Sequence, residues 1–138
     1  MKRSDFTAVA RTFLGTPFHH QGRLPGVGLD CVGVVVCALK QLDWPVEDQS
    51  GYGRIPLQGR LISAIENHCD TISQEDIQPG DLMMFAFRSE PQHIAIVSAT
   101  DPIMLIHAYQ DVHRVVENDL DATWQSRLRG CYRLRGIE

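Results

Sequence analysis

Two periods of apolar residues divide this chain, a helical one in its first half and a strand-like one in its second. In the segment 4–14, Phe6, Val9, Ala10 and Phe13 recur at helical spacing, and Ser4 is suited to cap the helix start. Gly15 and Thr16-Pro17 end that helix and open an irregular stretch holding Gly22, Pro25, Gly26 and Gly28. Residues 31–42 form an apolar run that reads two ways. Val34-Val35-Val36 has strand propensity, whereas the length of the run and its Ala38-Leu39-Lys40-Gln41-Leu42 ending favour a buried helix, which is the expected form. Residues 43–55 are turn-rich, and a short amphipathic helix is expected after Pro56, with Leu57, Leu61, Ile62 and Ile65 on one face.

Beyond Pro79-Gly80-Asp81 the pattern changes to alternation. It predicts strands at 82–87, 93–99, 103–109, 112–117 and 130–134, with a helical turn near 121–127. Helices followed by a meander predict an α+β fold, with N-terminal helices packed on a C-terminal antiparallel sheet.

Composition narrows the picture. With 138 residues, 43% of them apolar, and a formal charge of -4, the chain fits one domain spanning 1–138 with its own core. The longest apolar run, Cys31 to Leu39, has nine residues, which excludes membrane insertion through a spanning helix. A mildly acidic chain without basic clusters is a poor partner for nucleic acid. Met1-Lys2-Arg3 opens like a signal peptide, but Asp5 and Arg11 interrupt the apolar region. The expectation is therefore a chain without a signal peptide, made in the cytoplasm. The cysteines at 31, 37, 69 and 131 have neither disulfide nor zinc-site spacing, so four free thiols are expected, and no motif calls for a metal or a cofactor.

One thiol stands apart. Cys31 follows a glycine-containing loop (Gly26-Val27-Gly28-Leu29-Asp30) and opens the apolar segment. At a helix N-terminus, unpaired backbone N–H groups and the helix dipole favour a thiolate, so a lowered pKa is expected there. A thiolate attacks carbonyls, and the same amides can receive an oxyanion. Two histidines add to this. His93 begins one apolar strand and His107 ends the next. A hairpin centred on Thr100 opposes them directly on one face, looking toward the start of the Cys31 helix. His19, His68 and His113 read as ordinary surface or core residues.

The residues Gly15-Thr16-Pro17-Phe18-His19-His20-Gln21-Gly22, Leu29-Asp30-Cys31-Val32-Gly33, Gln92-His93-Ile94-Ala95-Ile96-Val97 and Ile106-His107-Ala108 carry a resemblance. In this order and spacing they resemble the NlpC-type papain-like cell-wall cysteine peptidases, most of all the short variety encoded by phages and prophages. The resemblance implies a papain-like α+β fold. It implies a cysteine endopeptidase that cuts peptidoglycan stem peptides at the bond between D-γ-glutamyl and a diamino acid, through a thioester. It assigns Cys31 as nucleophile, His93 as base and later acid, and His107 as the residue orienting His93. Delivery from a phage tail tip, with tail-tip proteins as partners, follows from the same resemblance.

Several positions depart from the family pattern. Phe18 stands where the family commonly has Tyr, so its ring has no hydroxyl for the oxyanion. His20 and Gln21 are the candidate replacement donors. Val32 replaces a serine, and Asp30 is retained as a candidate partner for a substrate ammonium. Two other readings share the fold: a structural tail-assembly component that has lost activity, and an acyltransferase passing the same thioester to an acceptor other than water.

Overall fold

A sheet whose middle strands are buried on both faces organises the chain. The structure, a computed structural model, describes residues 1–46, 48, 60–87 and 92–138. The first helix, α1 (Arg3–Thr12), buries Phe6, Thr7 and Ala10. Its N-cap is Lys2, which makes no side-chain cap bond, so the expected Ser4 cap is displaced by two residues. A two-residue hairpin, β1 (Arg23–Leu24) with β2 (Gly28–Leu29), forms inside the glycine-containing loop.

The ambiguous apolar run is a helix, α2 (Cys31–Gln41), and Val34 through Leu39 are all buried. Three consecutive valines cost a helix only ~0.5 kcal/mol or so each in propensity, while burying each side chain gains about 1.5–3 kcal/mol. Packing therefore decides against the strand. Gly33 is required for close approach, because a Cβ there would collide with the Gly22 carbonyl oxygen. The loop before Cys31 thus lies directly against the first turn of α2.

After the turn-rich segment comes α3 (Arg60–His68); Leu57 lies outside the described residues. It runs into a strand the alternation pattern did not predict, β3 (Cys69–Ile72). The remaining elements are β4 (Leu82–Phe85), β5 (His93–Ala99), β6 (Met104–Tyr109), β7 (Arg114–Asp119), α4 (Ala122–Arg127) and β8 (Leu128–Leu134). Among the described residues the large sheet has the order β3-β8-β4-β5-β6-β7, antiparallel throughout. This is the expected α+β architecture.

Residue parity divides the core in two. Leu82, Met84, Ile94, Ile96, Ile106 and Ala108 pack with α1 and α2 on one face. Met83, Phe85, Ala95, Val97 and Leu105 pack with Trp124 of α4 on the other. A buried ionic group ties the chain's ends together. Asp81, fully inaccessible, accepts from Arg3 Nη1 at 2.8 Å, Arg133 Nε at 3.0 Å and Arg133 Nη2 at 2.9 Å. Two cations and the Gln78 amide, at 2.9 Å, satisfy a carboxylate that would be strongly destabilising alone.

Candidate active site

Cys31 is the first residue of α2, and Asp30 is the cap that makes it so. Asp30 Oδ1 accepts from the Gly33 amide at 2.8 Å and from Arg23 Nη1 at 2.9 Å, while Oδ2 accepts from the Gln21 amide at 2.9 Å. With 3% of its surface exposed, Asp30 builds the nucleophile's platform. Little of its carboxylate is left for the substrate ammonium expected of it.

The histidines sit in a register different from the predicted one. Ile96 lies across from Ile106 and Val97 across from Leu105, with an irregularity between Val97 and Ala99. Continued to the open end, this sets Ala95, not His93, opposite His107. The hairpin is centred on Asp101 rather than Thr100. The slip is even, so both rings stay on one face as diagonal neighbours. That face is the one covered by Trp124, whose ring centroid lies 5.6 Å from His93 and 4.8 Å from His107. The rings lie on the face opposite the one on which the body of α2 packs. Cys31 and His93 nevertheless line a common cleft of about 460 Å³ with Phe18, Phe87, Gln92, Ala108, Tyr109, Gln110, Asp111 and Arg127. His20 and Gln21, the candidate oxyanion donors, do not line it.

His93 Nε2 lies 2.6 Å from His107 Nδ1, and His107 Nε2 lies 2.7 Å from Asn118 Oδ1. Asn118 Nδ2 donates to the Asp119 carbonyl at 3.0 Å, which fixes the amide's orientation. Oδ1 accepts only, so His107 carries its proton on Nε2 and accepts at Nδ1. His93 then donates from Nε2 and keeps Nδ1 as its basic nitrogen. The predicted strand 112–117 stopped short of Asn118. Extending its alternation by two residues places Asn118 on the side of Val116, which pairs with His107.

Burial sets the charge state. It pushes His93 well below the usual 6.5, aided by His107 and Arg127. It also pushes His107 down to about 4, against the opposing bond from Asn118. Cys31 is partly exposed, yet burial and the neighbouring Asp30 push its thiol up to about 12, despite bonds from the Ile94 and Val32 amides. The lowered thiol pKa expected from the helix N-terminus is therefore reversed: desolvation outweighs the helix amides. Burial thus favours the uncharged form of both the thiol and the imidazole.

The NlpC/P60 family model matches residues 15–133, a span holding Cys31, His93 and His107. The chain belongs to the NlpC/P60 family. No curated protein sequence matches it. Among solved structures it is similar to the NlpC/p60 domain of the peptidoglycan hydrolase SagA, with 22% identity and a TM-score of 0.71, over 97% of this chain and 100% of that one. It is similar to an NlpC/P60 family protein from Bacillus cereus, with 24% identity and a TM-score of 0.75, over 96% of this chain and 40% of that one. The third is the peptidoglycan hydrolase RipB from Mycobacterium tuberculosis, with 16% identity and a TM-score of 0.72, over 99% of this chain and 65% of that one. The fold is thus that of NlpC/P60 proteins, although the chain spans only about two fifths of the Bacillus cereus protein.

Among the described residues, no group of three or more His, Cys, Asp or Glu is arranged to hold a metal ion. Among the same residues, no helix is long and apolar enough to cross a membrane.

Proposed function

We propose that this NlpC/P60 chain is a cysteine endopeptidase that cuts peptidoglycan stem peptides, at the bond between D-γ-glutamyl and a diamino acid. The carrying observation is that Cys31 and His93 line one cleft while His93 is bonded to His107 at 2.6 Å. The similarity to peptidoglycan hydrolases such as SagA and RipB supports the substrate class.

In the proposed reaction, His93 Nδ1 takes the Cys31 proton as sulfur attacks the carbonyl carbon. The resulting oxyanion meets the Cys31 backbone N–H, the first amide of α2, which has no intrahelical acceptor. His93 returns the proton to the leaving amine as the C–N bond breaks, leaving a thioester. Water then attacks, His93 takes its proton, and the Cys31 sulfur leaves and is reprotonated. His107 and Asn118 hold the His93 ring through both halves. Delivery from a phage tail tip is also part of this proposal and rests on the sequence resemblance alone.

The test is incubation with purified muropeptides followed by mass analysis. Products split after D-glutamate support the reading. Absence of product from folded protein, across several stem-peptide chemistries, would turn it to the structural role. An acceptor-dependent product would turn it to acyl transfer.

A further inference from the structure

One cation in the cleft takes no step in the proposed reaction. The Arg127 guanidinium carbon lies 5.1 Å from the centre of the Phe87 ring and 4.9 Å from that of Trp124. Tyr109 packs on the same Trp124 ring, at 5.0 Å between centroids, and its hydroxyl donates to Asp111 Oδ2 at 2.9 Å. Two aromatic faces hold the guanidinium beside the reacting groups, in the cleft lined by Cys31 and His93. Among the described residues, no carboxylate lies within ion-pair distance of Arg127. Elsewhere in the molecule the contrast is clear: Arg3, Arg23, Arg133 and Arg135 each meet an aspartate at 2.8–3.0 Å. A half-buried guanidinium held on aromatic rings keeps its planar donor edge ready for a bidentate acceptor.

We propose that Arg127 is a carboxylate-binding residue of the cleft, taking a carboxylate of the substrate next to the bond that is cut. This rests on the stem-peptide reading above. A stem peptide offers two sources of that chemistry: the α-carboxylate of the γ-linked D-glutamate, and the carboxylates of the diamino acid. Binding either one also offsets a cation that helps keep His93 unprotonated, after burial and His107. The carboxylate therefore orients the scissile carbonyl and makes His93 a better proton acceptor at the same moment.

The experiment compares three tripeptides: L-Ala-γ-D-Glu-meso-diaminopimelate, the same peptide with D-isoglutamine, and the same peptide with L-Lys in place of the diamino acid. Wild-type kcat/KM should fall about tenfold or more for one of the two analogues, and the analogue that falls names the carboxylate. In Arg127→Gln, the parent peptide should fall by a similar factor, and the discrimination between parent and analogue should vanish. Arg127→Lys should keep part of it, since it retains the charge without the planar fork. Discrimination is a ratio within one protein, so a partly folded preparation does not distort it. Equilibrium binding of the same peptides to Cys31→Ala, followed by tryptophan fluorescence, reads the same preference without turnover. Failure to cut any peptide would therefore count against the endopeptidase reading alone. Equal binding of all three peptides, or discrimination unchanged in Arg127→Gln, would overturn the proposal for Arg127.

Discussion

Lowering the pH should destabilise this protein through its own active site, where His107 and His93 both resist protonation. The His107 ring is fully inaccessible and wedged between His93 and Asn118, and burial holds its pKa at about 4 against an ordinary 6.5. The folded state therefore binds fewer protons than the unfolded state between those values. His107's contribution is fully present above pH 6.5 and is lost as pH falls toward 4. At ~1.4 kcal/mol per pH unit, that interval amounts to roughly 3 kcal/mol, a large share of the 5–15 kcal/mol typical of a domain. His93, lowered well below 6.5, acts in the same direction. The assay is urea unfolding followed by tryptophan fluorescence from pH 7.5 to 4, on wild type and His107→Gln. The variant keeps a polar partner for His93 but cannot titrate there. Carboxylates common to both proteins cancel in the difference. Wild type should lose roughly 3 kcal/mol more than the variant across the window. Parallel stability curves would refute the reasoning.

Other consequences follow from the same geometry. Iodoacetamide should label Cys31 before the buried Cys37, Cys69 and Cys131, but with a rate still climbing above pH 8.5 because the thiol is raised to about 12; a plateau near neutrality would indicate a preformed thiolate. Asn118→Leu should lower kcat by about tenfold or more with little change in KM, since general acid–base catalysis as a whole contributes ~10²–10⁴. Asn118→Asp should move the acid limb of kcat/KM to higher pH, because a carboxylate on His107 favours the protonated pair. Phe18→Tyr, which adds a hydroxyl in the cleft, should raise kcat about tenfold; an unchanged kcat would mean the oxyanion is already fully satisfied.

Local chemistry made much of this site legible in the sequence. The glycine-containing loop and the apolar run that opens at Cys31 adjoin in sequence, so the helix start could be read directly, whereas Asp30 was read as an ammonium partner and is instead its cap. The shared face of His93 and His107 survived a register error because strand periodicity is two and the slip was even. What could not be read depends on non-local packing. β3 pairs with β8, Cys69 across from Leu134, a partnership that no alternation within a four-residue segment announces. Asn118, Trp124 and Arg127 reach the histidines only once β7 and α4 fold back over the sheet. The thiol's acidity was misjudged for a related reason: a helix N-terminus is visible in sequence, but the desolvation that outweighs it is not.

The central claim is that Cys31 carries the acyl group while His93 moves the proton. Rapid quenching of the protein during turnover of a γ-D-glutamyl stem peptide, followed by intact-mass and peptide mapping, tests it most directly. The account predicts a transient adduct equal in mass to the acyl half of the substrate, located on Cys31, absent from Cys31→Ala and strongly reduced in His93→Ala. Turnover undiminished in Cys31→Ala, or an adduct on another cysteine, would contradict it.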